Sequence, residues 1–112
     1  MKILNRAQFL AQPPGTVYAK TVGADMQGLC IKLETYPGGD WVFQDLIAID
    51  ATDSGEYFAR FAAMEHDGAE FPWDSGATMR DGLFDADDKF LVFDAADLDG
   101  LIAALQAARD AA

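Results

Sequence analysis

The sequence predicts an α+β domain in which an antiparallel β-meander carries packed helices, in the order α-β-β-β-α-β-α. Three observations lead there. Apolar residues alternate with period two over 28–36, they recur with helical spacing over 53–66 and 94–106, and the strand-like runs do not follow one another as repeated βαβ units. The 112 residues, half of them hydrophobic and 12% aromatic, suit a single domain over 1–112 with a core of its own.

Residues 5–12 read as a short helix. Asn5 is its N-cap, Gln8 completes a capping box, and Leu4 with Phe9 forms a hydrophobic staple. Pro13-Pro14-Gly15 stops it. Residues 16–22 are rich in β-branched and aromatic types and predict a strand. In the next strand, 28–36, Leu29, Ile31 and Leu33 point one way and Lys32 and Glu34 the other. Pro37-Gly38-Gly39-Asp40 is a turn.

Residues 41–49 form the third strand, where Asp45 falls on the side of Phe43 and Ile47. A bulge near Gln44-Asp45 would reset the phase, and the alternative is a partner for Asp45. Asp53 and Glu56 begin a helix carrying Tyr57, Phe58, Phe61 and Met64, which ends near Gly68. Residues 69–80 read as a loop with room for a short strand at either end. Residues 89–93 are the last strand, buried between acidic edges. Asp94 caps the last helix, Asp97 sits at N3, Phe93 and Leu98 form its staple, and Leu98, Leu101, Ile102 and Leu105 make its apolar stripe.

Charge is the most uneven property of the chain. Residues 1–39 hold four basic and two acidic side chains, whereas residues 40–112 hold four basic and 17 acidic ones, a net of −13 within a total of −11. Seven aspartates lie in 81–99: Asp81, Asp85, Asp87, Asp88, Asp94, Asp97 and Asp99. Such a field repels nucleic acid and anionic membranes and attracts basic protein surfaces. Direct nucleic-acid binding is argued against, because phosphate contact needs clustered Lys and Arg. Asp94, Asp97 and Asp99 also have a structural role available, since acids in the first turn complement the helix dipole. The two acidic groups flank a strand whose ends lie roughly 15 Å apart at about 3.3 Å per residue, a line of charge comparable with a nucleic-acid backbone.

The catalytic and cofactor motifs fail on inspection. Asp97-Leu-Asp99-Gly100 resembles part of an EF-hand, but positions 1 and 12 would be Ala95 and Gln106. No metal or cofactor site is therefore expected; Asp85, Asp87 and Asp88 read as a solvated turn. His66, between Glu65 and Asp67, fits a cation at a helix C-terminus better than a general base. Cys30, the one cysteine, reads as a semi-buried inert thiol and suits a reducing compartment. The start of the chain lacks a secretory h-region, and no apolar run approaches a membrane span. The expected location is the cytoplasm.

Three stretches, Phe9-Leu-Ala-Gln-Pro-Pro-Gly-Thr-Val-Tyr-Ala-Lys20, Asp50-Ala-Thr-Asp-Ser-Gly-Glu56 and Asp81-Gly-Leu-Phe-Asp85 running into Phe90-Leu-Val-Phe93, resemble those of small acidic proteins encoded by phages and prophages. The resemblance implies a host-cell context in which such proteins inhibit restriction enzymes or CRISPR complexes, some by mimicking DNA. The resulting expectation is a non-enzymatic interaction protein: an inhibitor, such as an anti-CRISPR or anti-restriction DNA mimic, of a basic nucleic-acid-handling host protein. Its binding residues would be the seven aspartates, with Trp73 as an aromatic anchor and Trp41 as a further candidate. One alternative is a small-molecule or nucleotide-derivative binding module with a pocket near helix 54–66, lined by Trp41, Tyr57 or Trp73. Another is a small enzyme using His66 and Glu65. Homodimerisation through an exposed edge of strand 16–22 is a further expectation.

Overall fold

The computed structural model describes residues 1–74, 78–81 and 87–112. In chain order the elements are β1 (Lys2–Asn5), α1 (Arg6–Leu10), β2 (Val17–Val22), β3 (Asp25–Thr35), β4 (Trp41–Asp45), α2 (Ser54–Asp67), β5 (Thr78–Asp81), β6 (Lys89–Val92) and α3 (Ala95–Ala111). All six strands join one sheet in the order β1-β6-β2-β3-β4-β5, with every neighbouring pair antiparallel. The class is α+β, as the sequence predicts, but two strands are added to the expected order. β1 has four residues and pairs with β6 at the far end of the chain, and β5 is a short, largely exposed edge strand. β1 leaves no periodic signal of its own, whereas β5 falls at the C-terminal end of 69–80, one of the two places where the sequence leaves room for a short strand.

The meander β2-β3-β4-β5 is extended by β6, which returns to lie between β1 and β2. Pairing on both sides makes β6 an interior strand, and its Phe90, Leu91 and Val92 are all buried. It also removes the expected dimer edge: strand 16–22 is flanked by β6 and β3, and the sheet ends at β1 and β5 instead.

The sheet is rolled. The Trp41 indole N–H donates to the Tyr18 hydroxyl at 3.0 Å, reaching from β4 to β2 across β3. Lys20 Nζ on β2 lies 3.2 Å from a carboxylate oxygen of Asp81 on β5. In a flat sheet those two strands would stand about 14 Å apart. Two irregularities in β3 help the bend, one opposite Tyr18–Lys20 on β2 and one between its Lys32 and Thr35 pairs with β4. At the first, Gly28 takes φ +71°, a left-handed conformation that suits glycine. The bulge expected at Gln44-Asp45 does not occur there. Pairing stays regular to Asp45 opposite Cys30, the strand stops, and the Asp45 carboxylate accepts the Ile47 N–H at 2.9 Å.

Inside the roll, α1 acts as a plug. Asn5 and Gln8 form the expected reciprocal capping box, and this orients a five-residue helix whose Phe9 is completely buried. The Phe9 ring stacks on Phe90 with centroids 4.0 Å apart and meets Tyr18 and Trp41 edge-on at 4.6 and 5.1 Å. Leu4, Cys30 and Val92 complete this cluster. The alternation of β3 is as expected, but its sense is inverted. Cys30 and Lys32 face the core, while Leu29, Ile31 and Leu33 lie on the opposite face, half-buried. Lys32 is tolerated inside because its ammonium donates to Leu33 O and Thr35 Oγ1. Desolvation holds its pKa below the usual lysine value.

The expectation of helices packed on the sheet holds for α1 alone. Neither α2 nor α3 contains a fully buried residue. The radius of gyration is 15.6 Å, against roughly 13 Å for a compact chain of this length. Stability should therefore be concentrated in the roll. Phe9→Ala should cost about 3–5 kcal/mol in urea unfolding, whereas Phe58→Ala, on the exposed face of α2, should change stability by no more than about 0.5 kcal/mol.

Candidate protein-binding surface

The acidic residues around β6 divide into those that hold the fold and those that face solvent. At the N-terminal end of β6, Asp88 and Asp81 both approach Lys20 Nζ at 3.2 Å. Desolvation pulls the Lys20 pKa down, but the two carboxylates outweigh it and the net shift is upward. These two acids clasp the rolled edge. Asp87 beside them is exposed, and Asp85 lies outside the described residues.

At the other end of β6, the Asp94 carboxylate accepts the Asp97 N–H at 2.8 Å and the Asp97 carboxylate accepts the Asp94 N–H at 2.9 Å. This is the predicted capping box of α3. Asp97 also receives the terminal ammonium of Met1 at 2.8 Å, and that hydrogen bond is the largest cause of its lowered pKa. Asp94 and Asp99 are exposed. The predicted acidic residues thus fall into two groups at opposite ends of a four-residue strand, with Asp87, Asp94 and Asp99 the most outward of those described.

The two tryptophans separate. Trp41 is fully buried in the core and is unavailable as an anchor. Trp73 is 62% exposed, held by an indole hydrogen bond to Leu46 O at 3.0 Å. His66 is exposed in the last turn of α2. Among the described residues no three metal-ligating side chains cluster, and no helix is long and apolar enough to cross a membrane.

The pocket expected beside helix 54–66 is present, with Tyr57 in its wall but neither Trp41 nor Trp73, and what sequence reasoning missed is the exposure of the apolar residues around it. The helical spacing of Phe58, Phe61 and Met64 predicts a core face, yet these side chains are 68%, 49% and 40% exposed. Ile47 is exposed as well, and with Phe58, Tyr57 and Met79 it lines a cavity of about 400 Å³ between the end of β4, the start of α2 and β5. α2 is tethered by its polar groups. Asp53 accepts the Glu56 N–H, and Glu56 turns to Thr52 and Arg60. Arg60 donates to Asp50 O at 2.8 Å and lies 5.1 Å from the Phe71 ring. The signal that could have revealed this surface is the loop on each side of α2, long enough to let the helix stand away from the sheet.

Cys30 is buried beside Tyr18, and burial, followed by the negative charge of Asp45, pushes its thiol up to about 12 from a model-compound value of 9.0. In the unfolded chain the thiol ionises near the lower value, so stability falls as pH rises from about 9 to about 12. Cys30→Ala should flatten the onset of that fall. In native protein at about pH 8 the thiol should resist a disulfide-exchange reagent, and denaturant should expose it fully. The chain matches no protein-family model, no curated protein and no solved structure.

Proposed function

We propose that this protein is a non-enzymatic interaction module that binds a basic protein surface of the kind that handles nucleic acid, as an anti-CRISPR or anti-restriction DNA mimic would. The observation that carries this reading is the acidic surplus. Nineteen acids face eight Lys and Arg residues, so pairing every base with one acid still leaves 11 carboxylates. Several bases are already engaged: Lys20 with Asp81 and Asp88, Arg60 with Glu56, and Arg80 with Asp40. Asp87 at one end of β6 and Asp94 and Asp99 at the other present negative charge on both sides of the strand. Exposed Trp73, Phe58 and Phe61 supply the aromatic anchors that protein interfaces use. Asp81, Asp88 and Asp97 stabilise the fold, and Asp87 and Asp99, both exposed, are the contact candidates within 81–99.

A second reading is favoured by the cavity beside α2, whose size suits a small molecule. Among the described residues its lining includes Asp45 and Asp53 and no basic side chain, so it suits a cationic or hydrogen-bond-donating ligand better than a phosphate-bearing one.

Retention of basic proteins from host lysate on the immobilised chain should be lost between about 0.05 and 0.5 M salt, since the attraction is screened. The double variant Asp87→Lys/Asp99→Lys should weaken retention at low salt by at least about tenfold while circular dichroism shows the fold retained. Unchanged retention by the double variant would remove this surface as the interface. Retention of nothing basic, together with a thermal shift on adding small cationic ligands, would move the function to the cavity.

A further inference from the structure

The apolar stripe of α3 is unfinished business in this fold. Leu98 and Leu101 are half-buried, but Ile102 and Leu105 are 52% and 61% exposed. At 100° per residue, Leu98, Leu101, Ile102, Leu105 and Arg109 fall within about 100° of arc on one side of the helix, and the N-cap Asp94 stands at the start of the same row. The row is symmetric about the point between Leu101 and Ile102, except that one end is acidic and the other basic. Arg109 is largely exposed, and its ion pair is with its neighbour Asp110.

We propose that α3 is a homodimerisation surface on which a second copy of the chain pairs antiparallel about a two-fold axis. In that register Leu101 and Ile102 of each copy each lie beside their own mates at the axis, Leu98 faces Leu105, and Asp94 faces Arg109. The pairing is isologous, so one geometry satisfies both copies at once. Asp94 at each helix start meets Arg109 in the last turn of the other helix, and the helix dipoles oppose. A parallel pairing would instead bring Asp94, Asp97 and Asp99 of the two copies together, which like-charge repulsion disfavours. A membrane surface is a poor occupant, because amphipathic helices that bind membranes carry Lys and Arg on the polar face and α3 carries mostly acids there. A 17-residue helix is about 25 Å long. Two such helices bury an interface at the low end of the stable range, so the dimer should dissociate at micromolar concentrations.

The test is sedimentation equilibrium on the full chain from about 1 to about 300 µM at about 0.15 M salt. Wild type should show a monomer–dimer equilibrium. Leu105→Asp should raise its dissociation constant by about 100-fold, since two leucines leave the interface per dimer. Circular dichroism and melting temperature should stay unchanged, as Leu105 is exposed in the monomer. Two cysteine variants then test the register. Ile102→Cys lies next to its own mate across the axis and should form a disulfide-linked dimer on mild oxidation. Leu105→Cys stands about 10 Å along the axis from its mate, beyond disulfide reach, and should remain unlinked. Cys30 does not compete, because it is buried. A wild type that is monomeric throughout, a Leu105→Asp variant that dimerises like wild type, or efficient linking through Leu105→Cys would each overturn the proposal.

Discussion

The structure depends on one aromatic contact, the stacking of Phe9 on Phe90. It joins the plug helix α1 to β6, the strand that bridges the terminal β1 and the meander. Tyr18 and Trp41 close around the same ring edge-on, and their own hydrogen bond reaches across β3. The roll follows from this demand. A flat six-stranded sheet offers no shared interior to strands two and three positions apart, whereas a curled one lets four aromatic rings share a single dry space.

Curvature then decides how charge is used. It brings β5 toward β2, so Lys20 can take Asp81 and Asp88 together. It also leaves Lys32 inside, where its aliphatic stem lies along the core and its head is satisfied by local oxygens. Acids that would be equivalent in a linear reading thus differ in kind. Some clasp the roll, some cap α3, and the remainder give the surface its field.

The rolled sheet reaches a closed core largely without α2 and α3, so their apolar residues remain outward. A helix earns burial from packing partners rather than from its own periodicity. Here the stripe on α2 frames a cavity, and the stripe on α3 has the charge symmetry to meet a second copy. The contact proposed for the acidic field would be long-ranged and screened by salt, and the one proposed for α3 short-ranged and dependent on shape.

Local chemistry was legible in the sequence. Asn5 with Gln8 and Asp94 with Asp97 cap their helices as their spacing predicts, Gly68 ends α2 in a left-handed conformation, and Phe90–Val92 is a buried strand. So were the acidic surplus and the inert Cys30. These depend on residue type and on neighbours a few positions away. β1, the position of β6 inside the sheet, the inward turn of Lys32, the burial of Trp41 and the exposure of Phe58 and Leu105 were decided by tertiary structure. Period-two alternation says that two faces differ but not which one the sheet will roll toward, and helical periodicity says where an apolar stripe lies but not what will cover it. Those choices rest on contacts between residues as far apart as Phe9 and Phe90, and no local pattern encodes them.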